Sequence, residues 1–392
     1  MSEGLSGWKE IPLSKTTKFI VDNRGMTAPT VTVGIPLIAT NCINNRALYP
    51  VFLNVRYISQ DTYDNWFRAH AEPGDIILTL KGSQNGAVCL VPNPVNFAFA
   101  QDMVALRADE NVIDPLFLFA ALRTCDVQKQ IKNMDVSGVI PHFKKSDFDK
   151  LILPYPEKSI QKIIGAIYFC LCNKIDLLHR QNKTLESMAE TLFRQWFVED
   201  VQESWEARPL SAIADFLNGL ACQKYPPQNG FDKLPVLKIK ELSSGITELS
   251  DWATSKVKSE YIVEFGDVIF AWSASLMVKV WDGERCVLNQ HLFKVTSADF
   301  PKWFYLMWCK HHLAGFISIS SAHATTMGHI KRGDLDAAMV IVPSERELKE
   351  MSMIMTPLLE KQIANAKQIK LLQKFRDELL PKLMSGEMRV AL

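Results

Sequence analysis

The chain has 392 residues, 47% of them hydrophobic, with 44 Lys and Arg against 43 Asp and Glu. That length accommodates two or three domains with buried cores, and the near-neutral charge excludes both a histone-like polycation and an acidic disordered tail. Residues 1–10 lack the basic start and apolar run of a signal peptide. The longest apolar run, 163–172, is about half of a membrane span, so the expectation is a soluble, cytoplasmic protein with no membrane contact. The eight cysteines are scattered; only Cys170 and Cys172 lie close together, which is poor metal-ligand spacing and reads as free thiols.

In chain order, Trp8 opens a W-x-x-x-P-L segment ending at Leu13, and Asn23 and Arg24 lie in an early loop. Gly74-Asp75 makes a turn into an apolar strand at 76–80. A polar hairpin bounded by Gly82 and Gly86 follows, carrying Lys81, Ser83, Gln84 and Asn85. Next come Gln101, a helix at about 115–132, a polar loop and the run His142-Phe143-Lys144-Lys145. An apolar strand at 150–153, stopped by proline, closes the series and a long helix begins.

The same series is then written again. Trp205 to Leu210 repeats the opening, with Lys224 and Tyr225 in the matching early loop. Gly266-Asp267 leads into a strand at 268–272 and a small polar stretch with Ser273, Ser275 and Lys279. Gln290 matches Gln101, a helix follows at about 301–316, and a polar loop carries His323, Thr325 and Thr326. His329-Ile330-Lys331-Arg332 matches the earlier basic run, and a strand at 338–342 closes the copy. The offset between copies falls from 197 at the tryptophan to 192 at Gly-Asp, 189 at the glutamine and 187 at the histidine, then stays at 187. A front free to change length on a back held in register is the pattern of a reader mounted on a frame.

The backs are long helices. Ile164, Leu171, Leu178, Leu185 and Leu192 recur every seven residues, with Ile167 and Met188 at the companion d positions, where Lys174, Gln181 and Gln195 interrupt the apolar line. Met351, Leu358, Asn365, Leu372 and Leu379 repeat the spacing, with Ile354 and Phe375 at d. Sustained heptads predict a coiled coil within one chain, and Asn365 at its core position would specify register. Pro357 is expected to kink or restart the second helix. The expected fold is α+β: two β-rich mixed globular modules at 1–156 and 201–343, joined by long helices at 157–200 and 344–392 that form an antiparallel coiled coil, with an internal pseudo-two-fold repeat. A helix of roughly 40 residues is about 60 Å long, more than one turn of DNA, roughly 34 Å.

No motif for chemistry is present. There is no N/D-P-P-F/Y loop (Asn93-Pro94-Val95 is the nearest approach), no phosphate loop, no G-x-S-x-G around Ser83 or Ser273, and no H-E-x-x-H. Adjacent His311 and His312 read as solvated helix residues. The candidates for binding are therefore loops. Gln84 and Asn85 suit adenine edges, or form a plain hairpin turn. The recurrent pairs Lys144-Lys145 and Lys331-Arg332 suit phosphates, which position without specifying, or form surface pairs balanced by Asp147 and Asp334.

Globular module, long helix, globular module, long helix is the organisation of the type I restriction-modification specificity subunits. The segment KTLESMAETLFRQWF at 183–197 resembles that family's central helix, and ELLPKLMSGEMRV at 378–390 resembles its C-terminal ending. The resemblance covers essentially the whole chain; the interiors of the two modules depart from it. It implies that each module is a target-recognition domain reading one half of a split site in double-stranded DNA. It implies further that the helices space the modules and dock two modification subunits, with restriction subunits joining them. S-adenosylmethionine and ATP would belong to those partners, leaving this chain non-enzymatic and free of cofactor or metal. The alternative is a coiled-coil scaffold with tandem protein-binding β modules; binding that weakens steeply with salt separates DNA from protein partners.

Overall fold

The computed structural model describes residues 8–23, 27–99, 101–134, 141–322 and 328–388. The chain divides into two compact units: residues 1–177 with 369–392, and residues 178–368. Each unit takes one β-rich region and part of both long helices.

The two units share one plan. In the first, four antiparallel strands lie in the order Thr17–Val21, Met103–Ala108, Ile76–Thr79, Val88–Leu90. A second sheet places Ile35–Ile38 between Arg56–Ile58 and Ala98–Phe99, the last pairing parallel. In the second unit the four-stranded sheet runs Asp215–Asn218, Leu292–Thr296, Val268–Ala271, Met277–Val280. Its companion sheet again has a parallel central pair, Leu234–Leu237 with Cys286–Leu288. Each unit is closed by an antiparallel ribbon, Lys9–Pro12 with Ile152–Tyr155 and Glu206–Pro209 with Met339–Val342. The closure is pinned in both copies by a serine hydroxyl donating to a carboxylate, Ser14 to Asp149 and Ser211 to Asp336.

The Gly-Asp motif is a structural turn. Gly74 and Gly266 sit at φ +86° and +92°, which glycine adopts without a Cβ penalty. The carboxylates of Asp75 and Asp267 accept from the backbone N–H of Glu72 and Glu264, each at 2.8 Å. Arg107 clamps Asp75 with two 3.0 Å bonds, and Lys294 reaches Asp267 at 2.8 Å.

The helix expected at 115–132 is two helices, Pro115–Leu122 and Cys125–Asn133. Thr124 breaks them by capping the second through the N–H of Val127, and Arg123 turns inward onto the carbonyl of Val88 at 3.1 Å. Its counterpart in the second unit is continuous, Lys302–Ala322.

The long helices run Lys158–Arg194, prolonged by a π turn at Gln195–Glu199, and Glu345–Met384. The second passes through Pro357 without ending. Pro357 faces solvent, so water satisfies the carbonyl its ring abandons, while Met355 and Leu359 on either side are anchored in the core of the second unit.

The seven-residue spacing is present, but its second line lies one residue later than expected. Ile164 and Leu178 are buried, with Leu171, Leu185 and Leu192 partly so. Beside them run Tyr168, Ile175, Asn182 and Ala189, not Ile167 and Met188. The second helix shifts identically: Asn365 and Leu379 are buried, Met351, Leu358 and Leu372 partly so, and the companions are Met355, Gln362, Ile369 and Arg376. Met188, Ile354 and Phe375 are instead 47%, 50% and 52% exposed. Lys174 and Gln181 are exposed because they never belonged to the seam. Within the second unit, Asn365 is 1% exposed and donates to the side-chain oxygen of Asn182 at 2.9 Å, while Asn182 donates to the Gln362 carbonyl at 3.1 Å. A polar bridge of this kind penalises slipped registers.

Each helix end is core. Leu379, Leu380, Leu383 and Met384 join the main cluster of the first unit, and Phe193 and Phe197 that of the second. The two segments that resembled a known family are therefore the pieces that finish the two cores.

Candidate nucleic-acid interface

The β hairpin after each Gly-Asp turn ends in a corner of the same construction. Leu80 N–H bonds the Asp102 carbonyl at 2.9 Å, as Trp272 N–H bonds the His291 carbonyl at 3.4 Å. Phe143 N–H then bonds Leu80 O, as Ile330 N–H bonds Trp272 O. Bridges Lys81–His142 and Ser273–His329 complete the match. The hairpin tip is thus held between the turn that follows the next strand and the segment leading to the basic pair. In both units the structure brings the expected polar loop beside the expected basic run.

The tips differ in length. Ile76–Thr79 pairs with Val88–Leu90, and Val268–Ala271 with Met277–Val280. The second tip is therefore two residues shorter, which locates most of the change in offset from 192 to 189. Ser83 and Gln84 are exposed and Asn85 half-buried; Ser275 is exposed and Ser273 is 5% exposed. The first turn is rigid: Thr79 Oγ1 donates to Gln84 O, and Gln128 Nε2 donates to Gly86 O at 2.8 Å.

The basic pairs sit at the starts of short helical turns. Lys144 N–H donates to Asp147 at 3.3 Å and Lys331 N–H to Asp334 at 2.6 Å. Asp147 bonds chiefly to Lys150: a hydrogen bond from that ammonium, at 2.9 Å, holds its carboxyl below the usual carboxylate range, with a smaller attraction from Lys144. Lys145 lies 3.7 Å from Asp22. Among the described residues no ion pair holds Lys144, Lys331 or Arg332, and all three are exposed.

Three expected site residues are placed otherwise. Asn23 is 5% exposed and consumed internally, donating to Ala69 O at 3.1 Å and accepting from Arg68 N–H at 3.1 Å; it ties a loop. Lys279 pairs with Asp282 at 3.0 Å and lines a cleft of about 340 Å³ with Asn182, Glu186 and Trp281, away from Ser273. Ser273 turns inward, its Oγ 3.2 Å from His291 Nδ1. Lys224 ends a one-turn helix, Cys222–Lys224, and Tyr225 caps it; both are exposed. Arg24, His323, Thr325 and Thr326 lie outside the described residues. His311 and His312 pack on Trp308 with ring centroids 5.3 and 5.7 Å away, and burial pushes both imidazole pKa values down. What sequence reasoning left without a role is the turn at Gln101-Asp102 and Gln290-His291, although the recurrence of the glutamine was its signal.

Among the described residues no helix is long and apolar enough to cross a membrane, and no group of three His, Cys, Asp or Glu side chains could hold a metal ion.

Comparison with known proteins adds the following. Residues 29–187 and 202–373 each match the family profile described as type I restriction modification DNA specificity domain. The MjaIX specificity subunit of a type I restriction enzyme from Methanocaldococcus jannaschii is 25% identical over 81% of this chain and 78% of its own length. The HindI specificity subunit from Haemophilus influenzae is 20% identical over 98% of this chain and all of its own. The crystal structure of a type I restriction-modification S subunit from M. genitalium superposes with a TM-score of 0.60 at 14% identity, covering 98% of this chain and 97% of that one, a likeness of fold.

Proposed function

The chain belongs to the type I restriction-modification specificity subunits, and we propose that it reads a split, asymmetric site in double-stranded DNA, one half with each β-rich module. The observation that carries this reading is the repeated corner, where the same backbone frame presents different side chains twice. Identical frames with unlike tips are what two readers of unlike half-sites require. The hairpin tips, with Lys81, Ser83, Gln84 and Asn85 in one copy and Ser275 in the other, face the bases. Lys144, Lys145, Lys331 and Arg332 clamp phosphates. The boundaries 1–156 and 201–343 delimit the recognition modules, and 157–200 and 344–392 the spacer helices.

The chain carries no catalysis of its own and works in the cytoplasm with two modification subunits, which use S-adenosylmethionine, and with ATP-driven restriction subunits. The exposed Met188, Ile354 and Phe375 are apolar side chains on those helices, suited to contact such partners.

The deciding experiment maps methylated adenines genome-wide in a host expressing this chain with its modification subunit, and in a host lacking only this chain. A split motif that vanishes with the deletion is expected. An unchanged map, with the modification subunit active, would sink the reading and favour the scaffold. The clamp has its own test: Lys144→Ala and Lys331→Ala should each lower the salt slope of DNA binding by about one unit and leave the motif unaltered. A changed motif would make those lysines readers instead.

A further inference from the structure

Gln101 and Gln290 stand at matching places in the two copies, and the reading above gives them no task. We infer that these glutamines read an adenine edge in each half-site, with Asp102 reading the neighbouring base in the first and His291 acting as a positioning residue in the second. The inference rests on the proposed DNA reading and carries it to particular side chains.

The backbone of the turn is committed in both copies. Asp102 O and His291 O hold the hairpin strand. In the first unit, Gln101 and Asp102 are half-buried and line a cleft of about 230 Å³ with Thr40, Arg56 and Trp66. Among the described residues nothing hydrogen-bonds either side chain, so both open half-exposed into the cleft with their polar atoms uncommitted. An amide beside a carboxylate offers a donor–acceptor pair for adenine N7 and N6, and an acceptor for cytosine N4.

In the second unit the amide is held. Gln290 Nε2 lies 3.4 Å from His291 Nε2, and His291 Nδ1 lies 3.2 Å from Ser273 Oγ. One relay satisfies both contacts: the amide donates to Nε2, so Nδ1 carries the proton and donates to the hydroxyl. Both imidazole nitrogens are then used, and the histidine fixes the glutamine. Among the described residues the second amide hydrogen and the amide oxygen have no further partner, which leaves the pair an adenine needs. Trp272 walls the corner, stacked on Phe293 at 5.6 Å and donating to Asn218 at 3.1 Å.

A positive φ marks the same corner in both copies, unstrained at the glycine of the first and strained at the alanine of the second. Gly82 has φ +90°, and its counterpart Ala274 keeps φ +56°. Both are tied alike, Gly82 N–H to Pro141 O and Ala274 N–H to Gly328 O. An alanine held there costs about 1–2 kcal/mol, a cost that persists where surrounding geometry imposes it.

The test is the methylation map of the full chain co-expressed with its modification subunit, repeated for Gln101→Ala, Gln290→Ala, Asp102→Asn and His291→Ala. Each glutamine variant should lose about 10-fold or more of the preference for adenine at one position of one half-motif, with the other half unchanged. D102N should shift the preference at an adjacent position away from cytosine. H291A should broaden the position that Q290A broadens and no other. The intact half-motif is the internal control for folding and assembly. An unaltered map, or a uniform loss at both halves, would overturn the inference. A failure of D102N to assemble would also overturn it, because among the described residues the Asp102 side chain holds nothing in place. If the unsubstituted chain yields no split motif, the proposed function fails first and is told apart by that result.

Discussion

Gly165→Ala is expected to destabilise the first unit by about 3 kcal/mol, although glycine to alanine inside a free helix stabilises by about 1 kcal/mol. The sign reverses because the long helix is a saddle for another helix start. A Cβ at Gly165 would stand 2.5 Å from Phe117 N and 2.8 Å from Leu116 C. Both are backbone atoms, which cannot swing aside as a side-chain tip would. The helix start is also fastened from below. Gln161, one turn earlier and buried, accepts from Asp114 N–H at 2.9 Å and donates to Pro156 O at 2.8 Å. Asp114 in turn caps Pro115–Leu122 by accepting from Phe117 N–H at 2.9 Å. Moving the start outward breaks this chain of bonds or opens the core beneath Phe117 and Leu118. Urea unfolding of the full chain beside the variant measures the loss. An equally stable variant would mean that the helix start lifts freely, and that Gln161 holds nothing in place. The second copy has Ser352 at this register, where its hydroxyl accepts from the Trp303 indole at 2.9 Å. Gly165→Ser should therefore fare no better than alanine.

Much of this architecture is legible in the sequence because a repeat tests itself. The Gly-Asp turn, the closing strands and the 187-residue register each occur twice, so a chance match in one copy is exposed by the other. What misleads is information that one copy cannot supply. The heptads give the period of the seam but not its second line, since Met188, Ile354 and Phe375 are apolar and look core-bound yet are exposed, while Ile167 packs on the first core beside the seam. The interruption at Lys174 and Gln181 was the warning: moving the line by one residue removes both to solvent, although it brings Arg376 into the seam. Arg123 carries no sequence sign of turning inward, because its partners, Val88 O and the ring of Phe119 at 4.3 Å, are fixed by tertiary structure. The site is legible to the level of loops. Hairpin tips and basic runs each show in the sequence, but their convergence comes from the fold, and Asn23 is a plausible reader by type and a loop tie by position. The corner at Gln290-His291 needs contacts between residues of separate strands, which no local pattern encodes.

Phe197→Ala should cost the second unit about 4 kcal/mol, in the range found for deleting a buried aromatic ring. Phe197 is 3% exposed and touches five aromatic rings: Phe193 at 5.0 Å, Trp308 at 5.5 Å, Trp205 at 5.6 Å, Phe304 at 5.7 Å and Trp303 at 6.4 Å. It sits on the π turn Gln195–Glu199, where the extra residue widens the helix as it ends. Rings meeting edge to face add to what area alone contributes. The hole left by alanine would be walled by large, mutually braced rings that cannot collapse into it, which is the condition for a large cavity penalty. The repeat supplies the control. Met384 holds the same register in the first unit, where it joins the core cluster together with Leu379, Leu380 and Leu383, and its unbranched thioether chain adapts to its surroundings. Met384→Ala should therefore cost about 2 kcal/mol, the low end for such a truncation. Calorimetry on both variants decides the matter. If the two losses are equal, the braced cluster adds nothing beyond buried area, and the second unit is held at this point by its helix alone.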